Sequence, residues 1–247
     1  MSVYPKLLVV NPNSSTEMTA DIEVNISRYF KLKKQPEFLN YISFYTGSSE
    51  APKQISGNET SLLSLNTCLP ELTDPNGKYY YNNFDGVLIA CFSDHPLVNA
   101  LAMEAKEANN DTVIVGLLNT SISYCSLFQT KTFSVLTSNN EWKTILDESI
   151  EGKYLTNASK PLWKGTVPTN LDVLDLHDQN NYKAIADIIR SKNLGELKSN
   201  LIILGCAGFS SIHTKLQQTF KDDLTVEFIE PVTIGIETLV YLCNGFL

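Results

Sequence analysis

Short apolar runs alternate with longer amphipathic stretches along the whole chain. The runs KLLVV (6–10), FLNYISF (38–44), GVLIA (86–90), TVIVG (112–116), TFSVL (132–136), NLIIL (200–204) and LTVEF (224–228) have strand length and strand composition. Between them, apolar residues recur at helical spacing near 16–31, 58–72, 96–108, 140–150, 179–192, 209–220 and 232–243. Near-continuous apolar strands separated by helices predict mainly parallel sheets covered on both faces, an α/β fold. Helix starts are marked as well. Ser14 or Ser15 precedes TEMTADIEV, with Glu17 in its first turn, and Pro96 opens PLVNALAMEA, where its missing N–H costs nothing. The stretch 151–170 is irregular and reads as an insertion or connecting segment. Tyr79, Tyr80 and Tyr81 follow DPNG (74–77) and read as a surface turn.

The pattern repeats once. LLVVNPNSS (7–15) and FSVLTSNNE (133–141) are both strands ending in an Asn-bearing polar turn before a helix. GVLIACFS (86–93) is echoed by LIILGCAGFS (201–210): an apolar run, a small residue, a cysteine, then a turn holding a serine. Two such halves predict two similar three-layer lobes related by a pseudo-two-fold. The first is expected over 1–118 plus 222–247 and carries Cys91; the second is expected over 119–221 and carries Cys206. Open parallel sheets bind ligands beyond the carboxyl ends of their strands. Both cysteines are therefore expected to face one active site in the cleft between the lobes.

Composition narrows the function. The net charge of −8, with no basic cluster beyond KLKK (31–34), argues against nucleic acid as a partner. No segment approaches the roughly 20 apolar residues of a membrane span, and the N-terminus does not read as a secretory signal. Five widely spaced cysteines without a CxxC fit neither a disulfide framework nor a structural zinc site. The expected setting is the reducing cytoplasm. His177 and His213 have no partner at ligand spacing, so no metal is expected. Neither GxGxxG nor GxSxG occurs, and Ser93, Asp94 and His95, being consecutive, cannot form a relay triad.

A single cysteine in an apolar segment is ordinarily a small core side chain. Cys68, Cys125 and Cys243 lie in helix-like apolar patterns and are read so. Cys91 and Cys206 differ by their repeated strand-end setting. A helix start nearby is expected to favour a thiolate at each. A matched pair suits one reaction: one thiolate removes a proton from a carbon acid while the opposite thiol returns one, inverting the centre. The carbanion then needs donors at the adjacent carbonyl. Backbone N–H groups of CFSD, TSNN and CAGF, with the side chains of Asn13 and Thr137, are candidates. His95 either lowers the Cys91 pKa or is a solvated turn residue.

The motifs VVNPNSSTEMT (9–19), YTGSSEAPKQISGNE (45–59), GVLIACFSDHPL (86–97), FSVLTS (133–138), LIILGCAGFS (201–210) and IEPVTIGIETL (229–239) together resemble the Asp/Glu/hydantoin racemase superfamily. The likeness is to the hydantoin racemase branch that includes allantoin racemases, and within it to fungal members associated with nitrogen-regulated allantoin catabolism. The resemblance implies a cofactor-independent two-base racemase of a cyclic ureide, a 5-substituted hydantoin or allantoin, and a homo-oligomer. By position it makes Cys91 and Cys206 the acid/base pair. It surrounds the substrate with Asn13, Ser93, Asp94, Thr137, Ala207 and Gly208, and puts Tyr45 and Ile55 on a loop closing over it. The alternatives are an amino-acid racemase or dicarboxylate isomerase or decarboxylase of the same superfamily, and a non-catalytic hydantoin-binding relative. Acyclic dicarboxylates call for cationic side chains, and the strand-end motifs contain none.

Overall fold

The structure, a computed structural model, describes residues 4–171, 180–206, 209 and 212–244. These residues divide into two compact units. One runs up to Leu117 and resumes at Val232; the other is Leu118–Pro231.

Unit 1 is built on β1 (Leu7–Asn11), β2 (Ile42–Thr46), β3 (Gly86–Ile89) and β4 (Val113–Gly116), in the order β2-β1-β3-β4. Every pair is parallel, with Val10 opposite both Tyr45 and Ile89. Its helices are α1 (Thr16–Leu32), α2 (Asn58–Thr73) and α3 (Pro96–Glu107), together with most of α8 (Pro231–Asn244). The central strands β1 and β3 are buried at every residue, as continuous apolar runs require. Alternate side chains point to opposite faces. Leu8, Val10, Val87 and Ile89 join Cys68 and Leu72 of α2 and Leu97 and Leu101 of α3 in one cluster. On β3, Gly86 meets α8: a Cβ there would stand 2.6 Å from Cys243 Sγ and from Leu239 Cδ1. The bare glycine sets how closely α8 seats.

Unit 2 repeats the plan. Its strands β5 (Phe133–Thr137), β6 (Trp163–Pro168), β7 (Leu201–Leu204) and β8 (Glu227–Ile229) pair in parallel in the order β6-β5-β7-β8. Its helices are α4 (Leu117–Ser126), α5 (Asn140–Ser149), α6 (Tyr182–Ile188) and α7 (His213–Thr219). Leu136, Val167, Ile202 and Leu204 of the sheet pack with Ile185, Ile189, Phe209, Leu216 and Phe220. Both sheets are wholly parallel, and the α/β class stands.

The structure differs from the sequence expectation in local ways, each with a cause. Residues 163–168, within the stretch read as irregular, form the edge strand β6. Its lysine, proline and left-handed Gly165 (φ 105°) hide it, and the register with β5 shifts between Phe133 and Val135. Residues 117–126 form α4 directly after β4, although LLNTSISYCS is poor in strong helix formers. β2 starts four residues later than the apolar run, because Pro36–Tyr41 winds into a 3₁₀ segment. Residues 227–229, expected with the first lobe, pair with β7 and so join unit 2. Tyr81 is no surface turn: it is 3% exposed, with Tyr79 and Tyr80 packed against the same cluster. Among the described residues, no helix is long and apolar enough to cross a membrane.

Candidate active-site residues at the carboxyl ends of the strands

Both cysteines occupy the same post in their own sheets. Past the end of β3, the Ala90 N–H still bonds to the Val10 carbonyl of β1 at 2.8 Å, and Cys91 follows. Past the end of β7, the Gly205 N–H bonds to the Leu136 carbonyl of β5 at 2.8 Å, and Cys206 follows. One extra ladder bond thus carries each strand to its cysteine. Neither is in a disulfide and both are partly exposed, while Cys68 and Cys125 are buried. Cys206 packs against the unit 2 cluster.

The turn after Cys91 is closely built. The Ser93 N–H bonds to the Cys91 carbonyl at 3.0 Å, and Ser93 Oγ lies 3.3 Å from Cys91 Sγ. Burial pushes the Cys91 thiol up to about 11, with the Ser93 hydroxyl opposing. The expected thiolate is therefore corrected: at neutral pH Cys91 rests as a thiol, because desolvation of the sulfur outweighs the Ser93 hydroxyl. Asp94 is partly exposed and Ser93 buried.

His95 is not a solvated turn residue. It is 1% exposed and caps α3, its Nδ1 accepting the Leu97 N–H at 3.2 Å. Burial pulls its pKa down to about 4 against the Asp94 charge. The neutral ring carries its proton on Nε2, which has no hydrogen-bond partner among the described residues. His95 therefore adds no cation beside Cys91.

The Asn turn after β1 lies at the same end of sheet 1. Asn13 is buried, and its Oδ1 accepts from Asn11 Nδ2 at 3.0 Å and from the Ser15 N–H at 2.9 Å. Its amide is thereby oriented with the NH₂ on Met18 Sδ at 3.2 Å. A thioether is a weak acceptor, so the Asn13 donors are weakly engaged. Asn11 Nδ2 also reaches the Ser15 carbonyl and Thr19 Oγ1, each at 3.0 Å. Sequence reasoning missed the support from α2. Ser64 Oγ donates to the Pro12 carbonyl at 2.5 Å, and the Cys68 thiol approaches the same oxygen at 3.6 Å. The spacing of four residues on α2 is the signal that pairs them.

Tyr45 is 1% exposed, with its hydroxyl donating to Glu71 at 3.1 Å and its ring edge-on to Tyr79. Its side chain belongs to the unit 1 core. Ile55 is also buried. In unit 2, Thr137 ends β5 at 1% exposure, and its carbonyl accepts the Thr169 N–H at 2.8 Å. Asn139 caps α5, accepting the Trp142 N–H at 3.0 Å. Ser138 between them is another residue the sequence did not single out. Its Oγ is buried without a hydrogen-bond partner among the described residues. Ala207 and Gly208 lie outside the described residues, as does His177. Among the described residues, no group of three or more His, Cys, Asp or Glu side chains could hold a metal ion.

The profile of the Asp/Glu/hydantoin racemase family matches residues 7–239, across both units. The chain belongs to that family. It is 47% identical to Protein DCG1 of Saccharomyces cerevisiae, over 238 residues that cover 95% of each chain. It is 25% identical to a hydantoin racemase of Paenarthrobacter aurescens, over 92% of this chain and 86% of that one. An allantoin racemase structure from Klebsiella pneumoniae superposes with a TM-score of 0.71 at 19% identity, covering 94% of this chain and 85% of that chain. That likeness concerns the fold: α/β, with two four-stranded parallel sheets.

Proposed function

We propose that this racemase-family protein inverts the C5 centre of a five-membered cyclic ureide, a 5-substituted hydantoin or allantoin, with Cys91 and Cys206 as the acid/base pair and no cofactor. The observation that carries the reading is the equivalence of the two cysteines, each one residue beyond an identical ladder bond in sheets of identical strand order.

The ring suits the chemistry. The C5–H is acidified by the neighbouring carbonyl, so its removal leaves an enolate rather than a localised carbanion. In one direction a Cys206 thiolate takes the C5 proton, the electron pair moves onto the carbonyl oxygen, and Cys91 delivers its thiol proton to the opposite face. The products are the inverted ring, a Cys206 thiol and a Cys91 thiolate, and the reverse direction restores the starting state. A Cys91 that rests protonated is suited to begin as the acid. Backbone N–H groups at the strand ends and the weakly engaged NH₂ of Asn13 are the donors offered to the oxyanion.

Charge favours a neutral ring over an acyclic dicarboxylate. The strand-end motifs carry no Lys or Arg, His95 is neutral, and Lys53 in the 47–57 loop is exposed. A carboxylate substrate has no buried cation there to receive it.

Circular dichroism of enantiopure 5-substituted hydantoin and allantoin in deuterated water tests the proposal. The parental chain is expected to racemise one of them with deuterium entering C5. Cys91→Ser and Cys206→Ser are each expected to abolish racemisation while one enantiomer still exchanges its C5 proton. Racemisation at the parental rate by either variant overturns the two-cysteine mechanism. Preferential turnover of aspartate or glutamate overturns the substrate class.

A further inference from the structure

Two adjacent serines follow Asn13, and the structure gives them different work. Ser15 is the helix cap, its Oγ accepting the Met18 N–H at 3.2 Å. Ser14 faces the other way. Its hydroxyl donates to the Ala51 carbonyl at 3.0 Å, and its backbone N–H donates to the Pro52 carbonyl at 3.0 Å. The loop answers from its other end, where the Gly47 N–H is shared between the carbonyls of Asn11 and Asn13, each at 3.0 Å. The approach is close enough that a Cβ on Gly47 would lie 3.0 Å from the Asn13 carbonyl oxygen and 3.0 Å from Ala51 Cβ.

We propose that Ser14 is a positioning residue, strapping the 48–55 loop onto the Asn11–Ser15 turn so that both present one fixed wall to the ureide. The loop has no helix or strand of its own to hold it. Its order comes from this strap, from Ala51 and Ile55 buried beneath it, and from the α2 entry, where Thr60 Oγ1 receives the N–H groups of Ser56 and Gly57. Ser14 is the one side chain of the turn that reaches the loop carbonyls. The turn itself is held independently from α2 by Ser64 on the Pro12 carbonyl. Removing the Ser14 hydroxyl therefore loosens the loop at Ala51 and leaves the turn in place.

The inference rests on the cyclic-ureide reading, and the test separates the two. Hydrogen–deuterium exchange on the full-length, ligand-free chain reads the strap without any substrate. Ser14→Ala is expected to raise exchange of the 48–56 amides about fivefold, the worth of one ordinary hydrogen bond. Exchange in α1 and β2 should not change, and Ser14→Thr, which keeps the hydroxyl, should restore protection. With a 5-substituted hydantoin, Ser14→Ala should raise KM by a similar factor while kcat stays within about twofold. Unchanged exchange in Ser14→Ala overturns the strap. Raised exchange with an unchanged KM overturns the positioning role. If the parental chain turns over no hydantoin or allantoin, the functional reading fails, and exchange alone decides whether the strap exists.

Discussion

The Nδ1 atom of His95 accepts the backbone N–H of Leu97 at 3.2 Å, turning a side chain that titrates in water into a neutral helix cap. The ring stays neutral in the folded chain down to about pH 4, whereas in the unfolded chain it takes up a proton near 6.5. The folded state then binds fewer protons across that interval, so stability falls as pH drops from about 6.5 to about 4. The loss attributable to this group is about 3 kcal/mol. His95→Asn replaces the capping Nδ1 with a capping oxygen and removes the titration. Urea unfolding from pH 7 to pH 4 should show a shallower decline in the variant, and an unchanged slope would assign the acid sensitivity elsewhere.

Cys91 should alkylate slowly for a partly exposed thiol. With burial holding it near 11, its thiolate fraction at pH 8 is roughly 100-fold below that of an ordinary cysteine. Iodoacetamide labelling followed by mass spectrometry should rank Cys91 well below a free cysteine peptide at pH 8, with the rate still climbing above pH 9. Labelling as fast as the free peptide would mean that the thiol is ionised at rest.

Gly86→Ala should destabilise unit 1 by about 1–3 kcal/mol, because the new methyl meets Cys243 Sγ and Leu239 Cδ1 at 2.6 Å and α8 must move. Adding Cys243→Ala clears one of the two contacts and should recover part of the loss. Denaturant midpoints of the single and double variants decide this. A double variant no more stable than Gly86→Ala alone would remove Cys243 from the account.

Ser64→Ala should cost about 1–2 kcal/mol, since the buried Pro12 carbonyl is left with only the longer thiol contact from Cys68. Ser64→Thr keeps the donor but adds a methyl at a position with no exposed surface, so its hydroxyl is expected to recover less than the full amount. Thermal melts of the two variants give the comparison. Equal melting temperatures for the parental and Ala forms would make the bond energetically idle.

Asn13→Ala should impair turnover more than folding. It removes the NH₂, whose contact is a weakly accepting thioether, along with the Oδ1 that organises the turn. Asn13→Asp keeps the accepting oxygen and replaces the donor with a second acceptor. Steady-state kinetics on a hydantoin should therefore show kcat falling in both variants, while Asn13→Asp alone retains a near-parental melting temperature. Parental kcat in the Asp form would exclude Asn13 as an oxyanion donor.

Much of the fold was legible in the chain because parallel strands buried on both faces must be continuously apolar. Among the described residues, the four central strands β1, β3, β5 and β7 are buried at every residue and announce themselves that way, and the edge strands β2, β4 and β8 keep enough apolar residues to be read as well. Edge strand β6 was not legible, because Lys164, the left-handed Gly165 and Pro168 break its apolar pattern and its pairing with β5 shifts register. Helix α4 likewise forms from residues of modest helix propensity because Leu117, Leu118, Ile122 and Cys125 are buried by tertiary packing.

By itself, the sequence determined the α/β class, the doubled layout and the strand-end position of Cys91 and Cys206, since hydrophobic period and repeat are properties of the chain. Only the tertiary structure decided which of two adjacent serines caps and which straps, that His95 is a neutral cap, that Cys91 rests protonated, and that Tyr45 is core. Each of those turns on burial and on partners brought from distant segments, and neither is written in local spacing.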